Sequence, residues 1–241
     1  MRGDIMHIMD HHGFTGQVAA SVIVHLVRTE ARLGRVQSER LAEINRQLDS
    51  FNSDFPASSY LKDLSMANLL LDGTLGSWAE LHGPTVKAAS TRHISPFVNQ
   101  LAVQYCDSGS HFDVSVLEVA GNLCKMYDIM YTAGRFFTER QQMELTEACY
   151  KLGYHYQRLR VLCDACGWLY FQIKPKTHMA MHVPFFGNSS IPDGFNVNWS
   201  ESMIGVVTQI WEGSVSGPYH ATVQRTVLLK YLVQFAICFD W

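Results

Sequence analysis

Apolar and polar positions repeat with a helical period along almost the whole chain. The clearest case runs from Thr138 to Cys163, where Leu145, Cys149, Leu152, Tyr156, Leu159 and Cys163 alternate four and three residues apart. That spacing predicts a helix with one seam packed at a shallow angle against its neighbours. Thr138 and Gln141 stand three apart at its start, a capping box in which each side chain satisfies an orphan backbone N–H of the other. Gly167 and Pro175 bracket its end.

The rest of the chain divides in the same way. From Thr15, Val18, Ser21 with Val22, His25 with Leu26, and Thr29 fall on helical spacing, and Gly34 follows as a stop signal. A polar amphipathic helix is predicted from about Gln37 to Phe51, with Leu41, Ile44, Leu48 and Phe51 on one face. Asn52 to Ser59 reads as a loop, Ser59 to Leu71 as a short helix closed by Asp72-Gly73, and Leu75 to Pro84 as irregular. A longer helix is expected from near Thr85 to near Cys106, bent by Pro96, which removes a hydrogen bond and clashes with the previous turn. Ser110 can cap the next helix, whose apolar positions include Val116, Ala120, Leu123 and Tyr127. Two more helices are expected at about Trp199 to Trp211 and Tyr219 to Phe239. The predicted fold is mostly α: a single helical domain over 1–241 of about eight helices, with little or no sheet. The turn at 107–110 is where it could divide.

Composition narrows the setting. Of 241 residues, 47% are hydrophobic and 17% charged, ordinary for a globular chain. With a formal net charge of -3, no global basic field points at nucleic acid or membrane. Locally, Lys151 to His182 carries five Lys/Arg against one Asp. Six irregularly spaced cysteines do not make a secreted disulfide framework; Cys106, Cys124, Cys149 and Cys238 read as buried small apolar residues. The start (MRGDIMHIMDHHG) lacks the apolar core of a signal peptide. The longest apolar stretch, Val223 to Phe239, is interrupted by Gln224, Arg225, Lys230 and Gln234 and falls short of a membrane span. An intracellular setting, nucleus or cytoplasm, is expected, with no membrane partner.

Chemistry concentrates in Cys163 to Glu201. Cys163, Cys166, His178 and His182 approach the spacing of a two-Cys, two-His zinc set. A helix end followed by a loop competes with that reading, because Cys163 also completes the helical seam and Pro175 interrupts the segment. His178 and His182 share a side if their turn is helical, as ligands or as a packed pair. Met179 stands where H-E-x-x-H needs its glutamate, so metalloprotease chemistry is unsupported. Asn198-Trp199-Ser200-Glu201 reads as a helix cap, or alternatively places Glu201 as a metal-binding carboxylate. Near the start, Asp4, His7, Asp10, His11 and His12 are dense enough to form a site. Lys174, Lys176, Arg158 and Arg160 could touch phosphates, or form a solvated helix face. There is no Gly-rich phosphate loop and no G-x-S-x-G.

Three stretches, MHIMDHHGFTGQVAASVIVHLV, KAASTRHISPFV at 87–98, and KPKTHMAMHVP followed by NWSE, together carry a resemblance. In this order they resemble the downstream portion of eukaryotic RNase H-like DNA transposases, loosely of the CACTA and hAT type, and related protist mobile-element proteins. The resemblance implies that Glu201 matches the final catalytic acid, with Trp199 as its nearby tryptophan. It implies that Asp4 or Asp10, with His7, lies near the second catalytic aspartate. Two-metal chemistry needs a full set of carboxylates, so the expectation is a transposon-derived helical protein or fragment, catalytically incomplete, needing Mg²⁺ only if the acidic site is whole. A weak DNA-contacting or self-association role follows, the latter as a homo-oligomer. The alternatives are a helical protein-interaction module with no nucleic-acid role, and a zinc-binding domain.

Overall fold

The computed structural model describes residues 8–10, 13–57, 59–71, 73, 76–84, 86–133 and 137–184. All of them fall within one compact unit, Met1–Gly194. The two helices expected beyond Trp199 lie outside the described residues. Among the described residues there are seven α-helices, one 3-10 turn and no strand. Leu70 and Ala79 form an isolated antiparallel bridge.

The centre is α1 (Phe14–Thr29), whose residues from Phe14 to Val27 are all buried. A helix covered on every side must find partners for its polar groups internally. The polar positions of α1 find theirs by pinning other elements, though Gln17 Nε2 and His25 Nδ1 are left without one. Thr15 Oγ1 meets Tyr127 OH at 2.6 Å, and His25 Nε2 meets Asp113 Oδ1 at 3.2 Å. Ser21 Oγ accepts the backbone N–H of Phe171, which sits at a φ of 51°. Gln17 Oε1 accepts from Thr177 Oγ1. Before α1, the turn at 8–10 lies directly on Gly13, where a Cβ would stand 2.4 Å from the carbonyl oxygen of Ile8. Only glycine allows that approach.

The remaining helices wrap α1. The amphipathic α2 (Gln37–Asp54) buries Ile44, Leu48 and Phe51 of its predicted face, while Leu41 stays half-exposed. The expected helix at 59–71 shrinks to α3 (Met66–Leu69). The reason is side-chain competition for the backbone: Asn45 both donates to the Leu64 carbonyl and accepts its N–H, and Asn52 donates to the Leu61 carbonyl. Those bonds hold 61–64 out of a helical ladder.

Then come α4 (Ala88–Tyr105), with Pro96 inside it, and α5 (His111–Thr132), where the Ser110 Oγ accepts the Asp113 N–H. The next, α6 (Glu139–Cys166), opens on the predicted Thr138–Gln141 capping box and ends on Gly167 in the left-handed region. Its contacts with α5 are the most extensive between helices among the described residues. All six seam positions from Leu145 to Cys163 are buried. A short helix that the periodicity did not predict, α7 (Pro175–Ala180), follows with proline at its permitted first position. The turn at 107–110 joins α4 and α5, which pack against each other. No helix among the described residues is long and apolar enough to cross a membrane.

Candidate functional site

Asp10 is 1% exposed, and the fold uses its carboxylate fully. Oδ2 accepts from Arg92 Nε at 2.8 Å and also from Nη2, while Oδ1 accepts from Tyr127 OH. Arg92 itself lies 5.9 Å from the Tyr131 ring centroid. Burial is the largest single influence on the Arg92 guanidinium and depresses it. The Asp10 charge, together with the contacts to Tyr131 and the Asp10 hydrogen bonds, outweighs burial and holds the group above its ordinary value. Burial and then the Asp10 charge push the Tyr127 phenol well up. The cluster is therefore a fixed ion pair with a neutral tyrosine, joining the 8–10 turn to α4 and α5. A divalent cation at Asp10 would have to displace Arg92. Asp4 and Glu201, the other acids of the expected centre, lie outside the described residues.

The four zinc candidates are not brought together. Cys163 is fully buried on the inner seam of α6, and burial pushes its thiol up to about 12, against the thiolate that a metal needs. Cys166 is exposed at the helix end. His178 and His182 do pair, with Nε2 atoms 3.1 Å apart and rings edge to face. Among the described residues no three His, Cys, Asp or Glu side chains are grouped to hold a metal ion. The tetrahedral set expected from spacing thus resolves into a buried thiol, an exposed thiol and a histidine pair.

The basic candidates are partly engaged. Lys174 Nζ pairs with Glu80. Burial holds the Lys176 ammonium below its ordinary value, Glu80 opposing and Lys174 reinforcing that shift. Arg160 binds Asp164, donates to the carbonyl of Tyr170 at 3.0 Å, and lies 4.6 Å from the Trp78 ring centroid. Arg158 is half-exposed on α6. Lys174 and Arg160 thus serve the packing against the 78–80 segment as much as any outward field.

The feature that the sequence reasoning missed lies on the other side of α6. Met143, Tyr150, Tyr154 and Val161 are 74%, 79%, 58% and 68% exposed. At about 100° per residue they fall within roughly 40° of arc, a stripe about 27 Å long. This stripe is nearly opposite the buried seam. Beside it a groove of about 250 Å³ is lined by Thr146, Cys149, Tyr150, Gly153, Tyr154 and Met181. Its floor is fixed by the Cys149 thiol, which donates to the Met181 carbonyl at 3.4 Å. The signal was present in the sequence as a second set of apolar positions, spaced seven, four and seven. No protein-family profile, curated protein or solved structure matches the chain.

Proposed function

We propose that this chain is a helical protein-interaction module whose contact surface is the outer face of α6. The observation that carries the reading is the stripe of Met143, Tyr150, Tyr154 and Val161. Single exposed apolar side chains are ordinary on a protein surface, whereas aligned ones with aromatic anchors characterise contact surfaces. Tyrosine suits the role because it offers a large, rigid area with a polar tip and little rotamer entropy to lose. A dye that fluoresces on apolar surfaces tests this. The wild type should enhance its emission, and Tyr150→Glu/Tyr154→Glu should remove most of the enhancement with helicity unchanged. Equal enhancement in the variant would refute the reading.

The resemblance to RNase H-like transposases supports a second reading, and one observation favours it. The described parts of the three stretches that carry the resemblance meet around α1: Asp10 of the first binds Arg92 of the second, and Gln17 of the first binds Thr177 of the third. On that reading the described helices are transposase-derived scaffold with Asp10 committed to it, and any DNA contact falls to Lys174, Lys176, Arg158 and Arg160. A gel shift at about 50 mM salt separates the two readings. The interaction module predicts no retarded band. A band weakened by Lys174→Ala/Lys176→Ala, with a flatter salt dependence, would favour the transposase reading.

A further inference from the structure

We infer that the partner of the α6 outer face is a second copy of this chain, docked antiparallel along the stripe; this rests on the interaction reading above. The stripe is symmetric about its own midpoint. Met143 and Val161 lie nine residues before and after Leu152, and Tyr150 and Tyr154 lie two before and two after. In an antiparallel two-fold pair each position faces the one equally far beyond the midpoint. Met143 then meets Val161 of the second copy, and Tyr150 meets its Tyr154, so every exposed apolar side chain of the stripe gains an apolar partner.

Charge selects this orientation over the parallel one. Glu147 and Arg158 lie on the same flank of the stripe, about 40° and 60° from its centre line, while Thr146 and Gln157 lie on the other. An antiparallel two-fold sets like flanks together, and Glu147 of each copy, which is paired with Lys151 on its own helix at 2.7 Å, then also faces Arg158 of the other. Thr146 faces Gln157 across the opposite flank. A parallel pair would set Glu147 against Thr146 and Arg158 against Gln157, with no charge matched. At the outer ends Glu139 faces Asp164 of the second copy, but Asp164 is already paired with Arg160 on its own helix.

The area sets the strength. The four side chains present roughly 450 Å² per copy, against about 800 Å² in a stable interface. Association is therefore weak and concentration-dependent, half-saturated on the order of 10 to 100 µM.

Sedimentation velocity on the full chain, from about 1 to 300 µM so as to span that range, tests the inference. The wild type should shift toward twice the monomer mass with rising concentration, and Tyr150→Glu/Tyr154→Glu should remain monomeric. Glu147→Arg should weaken association by about fivefold, since two like-charged contacts replace two opposite ones. Glu147→Arg/Arg158→Glu should return to within about twofold of the wild type. A wild type that stays monomeric while its dye binding persists overturns the self-partner but leaves the interaction reading standing. A dimer indifferent to the tyrosine changes, or a charge swap that rescues nothing, overturns the proposed face or its orientation.

Discussion

Asp10 and Arg92 show how one residue type serves two chemistries. An aspartate among histidines near Met6–His12 invites a metal-site reading from sequence. What decides its role is a guanidinium 82 residues away, which no local pattern announces. Removing one member of a buried pair leaves the other uncompensated, a cost of about 3–5 kcal/mol. Arg92→Leu should therefore lower the unfolding free energy by about that amount in a urea titration. A loss under about 1 kcal/mol would mean that Asp10 is hydrated in the folded state. The zinc expectation failed at the same scale. Spacing places Cys163, Cys166, His178 and His182 along a line, but it does not say that Cys163 faces the core while Cys166 faces solvent. Among the described cysteines, a thiol reagent applied to the native chain should therefore modify Cys166 first. Cys149 and Cys163, which are buried, should react only on unfolding. Cys106 and Cys124, expected to be buried but half-exposed, should lag behind Cys166, because burial pushes all four thiols up to between about 11 and 12. Rapid native labelling of Cys163, read by peptide mass, would contradict its buried placement.

Helices were legible wherever caps and periodicity agreed. For α2 and α6 the predicted starts are those observed, because a capping box or a polar run ahead of an apolar stripe is a local signal. Where a distant side chain took over the backbone, the local signal misled. The predicted helix at 59–71 lost most of its length to the amides of Asn45 and Asn52, which act from α2. In α6 the limitation was of another kind. Its first seam accounts for the core, so a search for one apolar face stops there, and the second stripe passes as scattered surface residues. Two opposite apolar faces on one helix call for two partners: α5 on the inside, and the second copy proposed for the outside.

Among the described residues the helices are arranged around α1, which the fold covers on every side from Phe14 to Val27. Thr15, Gln17, Ser21 and His25 fasten α5, α7 and the Phe171 loop to α1. The fold thus buries titratable groups that must stay neutral. Burial raises the four thiols above their usual value near 9, and it raises the phenols of Tyr127, Tyr156 and Tyr170 above 10. A group whose folded value is raised contributes stability below its unfolded value and loses it as pH climbs toward the folded one. The melting temperature followed by circular dichroism should therefore be level up to about pH 8.5 and fall steadily above about pH 9. A level profile to about pH 11 would show these groups to be solvated. The outer face of α6 has its own decisive measurement. In a Cys166→Ser/Cys238→Ser background, a short bismaleimide should leave Met143→Cys as a monomer, because its two copies would stand about 27 Å apart in the antiparallel pair. The same reagent should convert Met143→Cys/Val161→Cys to a covalent dimer. Cross-linking of the single variant, or none in the double at concentrations above about 100 µM, would contradict the proposed pairing.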